Sequence, residues 1–241
     1  MRALSAEDLL NVWDVGQRQC HWDRALSLLS AANRDQPRSV LADLSLGERD
    51  RLLLQLRQIV FGPELEGLVD CPSCGDHLQF ILRTADLLAP AGQPVGLLES
   101  NGYRIEFRPT VGADLESLPA DVDVAEARMF LIDRCVLRVV YKDAQVSTAD
   151  LPPEVIQKLA GAMDEVDPQG NVELALVCAG CGHHWQQLFD IASFFWAEVH
   201  AWAMRAFYEV HQLALNYGWH EAEIIRMNTS RRQIYLGMLG T

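Results

Sequence analysis

The chain has 241 residues, 49% hydrophobic and 22% charged, enough for one sizeable core or two modest ones in a soluble globular protein. Its longest apolar-leaning run, residues 191–197, falls far short of the roughly 20 residues of a spanning helix, so no membrane contact is expected. The net charge of −13 sits on residues 63–190, where 21 acids face eight basic residues, whereas residues 1–62 hold eight of each and residues 191–241 four of each.

Ser5-Ala6-Glu7-Asp8 reads as a helix start, followed by Leu9, Leu10, Val12 and Trp13. The same two acids stand where a signal peptide needs an apolar core, so secretion by that route is not expected. A second helix is predicted from Asp23 to Ala32. A third begins with the capping-box spacing of Ser45 and Glu48, keeps a helical period through Leu46, Leu53, Leu56 and Val60, and stops at Gly62-Pro63. Residues 1–62 therefore read as an N-terminal helical unit.

That unit leads into Cys71-Pro72-Ser73-Cys74-Gly75, the first of two C-x-x-C-G turns; the second is Cys178-Ala179-Gly180-Cys181-Gly182. Each offers two thiolates, with a glycine free to adopt the positive φ that lets backbone N–H groups reach the sulfurs. Together they make one tetrahedral four-cysteine site for Zn2+. Such a site has no open position, so its role is structural. Buried free cysteines, a redox pair and disulfides are the competing uses. A redox C-x-x-C normally opens a helix, but these turns adjoin the strand-like stretches 78–82 and 172–177. Disulfides need an oxidising compartment. His77, His183 and His184 lie near the turns and read as surface groups or neighbours of the ligands, because four cysteines complete the shell. Cys20 and Cys135 stand alone and read as buried thiols.

The 103 residues between the two turns are too many for a structureless loop. Asn101-Gly102, between residues 95–98 and 103–107, is a hairpin signal. Asp123 with Glu126 opens a helix through Ile132, and another follows Pro152-Pro153 and ends near Asp167-Pro168. The expected organisation is a zinc-ribbon-like module from 63–83 and 173–190, an inserted α+β subdomain over 84–172, and a C-terminal helical region over 191–241. The fold class is thus α+β, mostly helical, with a zinc-ribbon-like core built on four cysteines.

After Cys181, apolar and aromatic residues recur at helical spacing, predicting one long helix from Asp190 to Tyr217, stopped near Gly218, then a helical piece from His220 to Leu239. Most of that stripe should be core. Phe195, Trp196, Trp202, Tyr217 and Trp219 are candidate anchors for a protein partner, because aromatic residues dominate interface energetics. No P-loop, G-x-S-x-G or G-x-G-x-x-G pattern occurs, and the nearest approach to a zincin helix has Ile224 in place of its second histidine. His200 and His211 share a helix face but lie about 16 Å apart, too far for one ion. A nucleic-acid adaptor and an enzyme whose site is assembled only in the fold are the rival readings. The acidity of residues 63–190 opposes the first and suits a partner with a basic face.

Several stretches carry a family resemblance: residues 25–29, Leu46-Gly47-Glu48-Arg49-Asp50 with Leu53 and Phe61-Gly62, both cysteine turns, Asp167-Pro168, residues 189–191, 196–199 and 211–214, Tyr217-Gly218-Trp219, and residues 230–236. Their order and spacing resemble the baseplate protein family of contractile-tailed phages, in particular members linked to assembly of the central hub, with relatives in phage-like contractile injection systems. The resemblance covers nearly the whole chain except roughly residues 90–165. It implies a non-enzymatic baseplate component or assembly factor that contacts hub, spike, tape-measure or other baseplate proteins and acts in the bacterial cytoplasm, with no catalytic residue to carry over.

Overall fold

The computed structural model describes residues 1–119 and 121–239. Ser5 caps helix α1 (Ala6–Gly16), its hydroxyl accepting from the Asp8 N–H at 3.1 Å while Asp8 accepts from the Ser5 N–H at 2.9 Å. This reciprocal box satisfies two of the orphan donors at a helix start. Helix α2 (His21–Ala32) starts two residues earlier than expected, and a short helix α3 (Arg38–Ala42) has no counterpart in the predicted pattern. Helix α4 (Leu46–Phe61) opens with the predicted Ser45–Glu48 box and stops at Gly62.

Strands β1 (Glu64–Asp70) and β2 (His77–Arg83) form an antiparallel hairpin around the first cysteine turn. Strands β3 (Gly96–Ser100) and β4 (Tyr103–Phe107) are joined by Asn101 and Gly102, with φ of +53° and +82°. Two consecutive positive φ values match the twist of the flanking strands, which is why Asn-Gly is favoured there. Helices α5 (Gly112–Glu116) and α6 (Val124–Cys135) follow, and α6 runs without a loop into β5 (Val136–Tyr141), which pairs with β6 (Ala144–Gln145). Helix α7 (Pro153–Val166) leads to the hairpin of β7 (Glu173–Val177) and β8 (His184–Leu188), then to α8 (Ile191–Tyr217), 27 residues long. The segment after Gly218 is not one helical piece but two, α9 (Glu221–Arg226) and α10 (Thr229–Gly237). The break falls where the Asn228 side chain accepts from the Arg231 N–H at 2.8 Å and starts a new helix.

Helix accounts for 53% and strand for 18%, so the mostly helical α+β class holds. The chain divides into two units. One comprises Met1–Asp35 and the chain from Ile191 onward. Its core includes Leu10, Ala203, Ala206 and Ile225, with Trp13, Trp202 and Phe207 packed at the margin. The Arg24 guanidinium lies 4.8 Å from the centre of the Trp196 ring, and Arg232 donates to Glu209 at 2.6 Å in a buried ion pair.

The other unit, Gln36–Asp190, holds three antiparallel sheets among the described residues: β1-β2, β3-β4-β5-β6 and β7-β8. The four-stranded sheet has a core of Ile105, Phe107, Ile132, Val139, Leu151, Val155 and Leu159. Val155 and Leu159, one helical turn apart on α7, are both fully buried in it. Cys135 is buried as expected, whereas Cys20 is exposed, because it precedes the first turn of α2 rather than entering its packed face. Among the described residues no helix is long and apolar enough to cross a membrane.

Candidate metal centre

The two cysteine turns repeat one another bond for bond. In the first, the Cys71 N–H donates to Asp76 O and the Gly75 N–H to Cys71 O, both at 2.9 Å. In the second, the Cys178 N–H donates to His183 O and the Gly182 N–H to Cys178 O, again at 2.9 Å. Gly75 and Gly182 have φ of +75° and +71°, a conformation a side chain at Cβ disfavours. Each turn closes a hairpin whose last pair is Asp70 with His77 or Val177 with His184. The strands thereby hold each pair of cysteines in a fixed relative position.

The four Sγ atoms all lie within 4.8 Å of one another. Cys71 and Cys178 are buried, Cys74 and Cys181 exposed, and the turns cross-pair: Cys71 Sγ is 3.7 Å from Cys181 Sγ, and Cys74 Sγ is 3.6 Å from Cys178 Sγ. Those distances are far too long for disulfide bonds, and all four cysteines are free. They approach the edge of a sulfur tetrahedron, about 3.8 Å for a Zn–S bond of about 2.3 Å. The side chain of Asp76 lies against Gly180 of the opposite turn, a place where a Cβ has no room.

Electrostatics favours a cation at this point. Burial pushes the Cys71 thiol up, but backbone N–H groups of Cys74 and Ser73 outweigh it and bring Cys71 down to about 7. The Asp76 backbone favours a Cys74 thiolate, yet burial and the sulfurs of Cys181, Cys71 and Cys178 push Cys74 up to about 12. A thiolate is favoured at Cys71 and opposed at Cys74 by the neighbouring sulfurs, a conflict that a positive charge among them removes. The donor set therefore fits a metal ion held by Cys71, Cys74, Cys178 and Cys181, with no position left for substrate. His77 instead pairs with Asp70 at 2.5 Å on the surface, and His183 stacks on Trp185 with ring centres 5.9 Å apart.

The aromatic candidates separate by burial. Phe195 is fully buried and Trp196 only 9% exposed, so neither presents an open ring at the surface. Trp202, Tyr217 and Trp219 are half-buried. Tyr217 and Trp219 stack with centres 4.6 Å apart, and Tyr235 meets Trp219 edge-on at 4.8 Å. Tyr235 is not among the sequence candidates, although its place on α10 puts it in this cluster.

A buried polar centre in the same unit as the cysteines is also absent from the sequence reading. Asp167, beyond the end of α7, accepts from Ser45 Oγ at 3.1 Å and from the Gly47 N–H at 2.8 Å, so it sits on the positive end of α4. A Cβ on Gly47 would run into that carboxylate. Asp50, one turn further along α4, is buried beside Arg49. The only sequence signals for this centre are the Asp167-Pro168 dipeptide and a glycine in the first turn of α4.

Residues 26–196 match the family model described as T4 bacteriophage base plate protein, a span that includes both cysteine turns and the whole insertion between them. The protein belongs to this phage baseplate family. No curated protein and no solved structure matches the chain.

Proposed function

We propose that the protein is a non-enzymatic baseplate component or hub-assembly factor of a phage-tail-like contractile injection particle, working in the bacterial cytoplasm. In this reading Zn2+ on Cys71, Cys74, Cys178 and Cys181 staples the base of the inserted subdomain, and the scaffold contacts hub or spike proteins. The family match over residues 26–196 carries the proposal. Two features of the site support it. Four thiolates in a tetrahedral arrangement select zinc or an iron–sulfur cluster over hard cations. A shell made wholly of cysteine supplies folding free energy rather than a reaction centre. The acidity of residues 63–190 suits a basic protein partner and opposes a phosphate backbone.

The test is deletion of the gene in a strain that makes such particles. The component proteins should still be expressed, while complete sheathed particles disappear from electron micrographs. Normal particle numbers in the deletion strain overturn the reading. Quantitative mass spectrometry of finished particles and of assembly intermediates separates a retained part from a transient factor.

A further inference from the structure

Helix α6 is rich in apolar residues, yet only Ile132 and Cys135 of its 12 residues are buried. Val124 is 79% exposed, and Met129, Phe130 and Leu131 are half-buried. Between α6 and α7 lies a groove of about 390 Å³, walled by Val124, Ala127 and Leu131 on one side and Ala160 and Met163 on the other. Open apolar surface of this kind is one of the features of a protein-interaction site.

The rim adds chemistry. Asp164 of α7 and Arg128 of α6 both border the groove, and neither is in an ion pair among the described residues. Asp164 interacts with the Asn171 side chain and lies within the field of Glu173, and burial together with that neighbour raises its pKa. A cation placed there offsets the repulsion from Glu173 and stabilises the Asp164 carboxylate. The surrounding segment carries 21 acids and eight basic residues, so two copies of it repel and a basic partner is attracted.

We infer that the α6–α7 groove docks a segment of another baseplate protein that inserts apolar side chains between the helices and sets a lysine or arginine against Asp164. This rests on the baseplate reading above. The Arg128 side of the rim then faces an acidic or neutral part of the same segment.

The test uses the full-length protein in cells that assemble the particle. A photo-crosslinking amino acid replaces Val124, whose exposure makes the change tolerable to the fold, and the crosslinked peptide is read by mass spectrometry. The expected product joins Val124 to an apolar segment of one baseplate protein that contains Lys or Arg. Asp164→Lys should cut the crosslink yield about tenfold and Asp164→Asn by less, and exchanging the partner's basic residue for glutamate should restore the Asp164→Lys yield. The groove proposal falls if Val124 gives no crosslink while the protein still co-fractionates with baseplate proteins. It falls equally if the product is a second copy of this chain, a small molecule or a segment without a basic residue; the baseplate reading survives those results. Absence of the protein from every baseplate fraction overturns both.

Discussion

Ser45 and Asp167 stand 122 residues apart in sequence and meet at 3.1 Å at the first turn of α4. The serine hydroxyl donates to that carboxylate while accepting from the Glu48 N–H, also at 3.1 Å. A long-range contact and a local helix cap thus share one oxygen, and the carboxylate takes the Gly47 N–H as well.

Asp167→Ala should therefore cost more than an ordinary surface cap, roughly 2–3 kcal/mol, because a buried backbone donor and a buried hydroxyl lose their acceptor together. Gly47→Ala should destabilise as well, since its Cβ occupies the space of the carboxylate. Denaturant unfolding of the two variants is the check. A loss below about 0.5 kcal/mol for Asp167→Ala would show that the contact contributes nothing beyond an exposed cap.

Metal content is the second expected outcome. Protein purified without added metal should contain one zinc per chain, and a strong chelator should melt the two cysteine hairpins while freeing four thiols. Cys178→Ser should lower yield and melting temperature, because Cys178 is one of the two buried members of the four-sulfur cluster. A folded protein with negligible metal and four titratable thiols would sink the zinc assignment.

Asp50 gives a pH dependence with a definite sign. Burial raises its pKa to about 6, against the opposing pull of Arg49 and with help from Asp190 and Asp167. The folded state then binds the proton more tightly than the unfolded one, so the contribution of Asp50 is complete below about pH 4 and is lost as pH rises through about 6. The difference in unfolding free energy between the wild type and Asp50→Asn should shift in favour of the mutant by on the order of 2 kcal/mol from pH 4 to pH 7. Comparing the two proteins at each pH cancels acid release of the metal, which affects both. Asp114 acts in the opposite sense. Burial raises it, but the Arg108 guanidinium, the Val111 N–H and Arg134 lower it to about 2, so its contribution is present above about pH 4 and lost as pH falls through about 2. A difference curve for Asp50→Asn that is flat between pH 4 and 7 contradicts the account.

The aromatic residues of α8 should divide by phenotype. Phe195→Ala empties a fully buried site and should cost about 3–5 kcal/mol. Trp219→Ala, at the half-buried cluster with Tyr217 and Tyr235, should lower the melting temperature only modestly and reduce co-purification with baseplate proteins. Unchanged co-purification for alanine at Trp202, Tyr217 and Trp219 alike would remove this face from the interface.

Much of the architecture was legible because local signals agreed with the tertiary structure. Ser45 with Glu48, Asn101 with Gly102, and the paired C-x-x-C-G turns each name their own backbone geometry. The misses have physical reasons. Helical periodicity marks Phe195 and Tyr217 as members of one stripe, but it does not say which parts the chain covers with its own residues. Asn228 is an N-cap by type, yet the helical pattern on both sides masks the break between α9 and α10. The passage from α6 directly into β5 has no glycine or proline to announce it. Asp167 functions through a partner 122 residues away, a relation that no short window contains.

The two matching hairpins also impose an order of events on synthesis. The first pair of cysteines leaves the ribosome more than 100 residues before the second, an interval of about 5–20 s at 5–20 residues per second. During that interval two thiols are present without their counterparts, whereas the intervening sheet of β3 to β6, with α7 on its core, can already collapse around Ile105 and Phe107. A four-sulfur shell can close only once Cys178 and Cys181 have been made, when the sheet of the insert is already available to draw its own ends together. A metal ion on the four cysteines would then act as a latch on the insert, and a nascent chain stalled before Cys178 carries only half of the sulfur set.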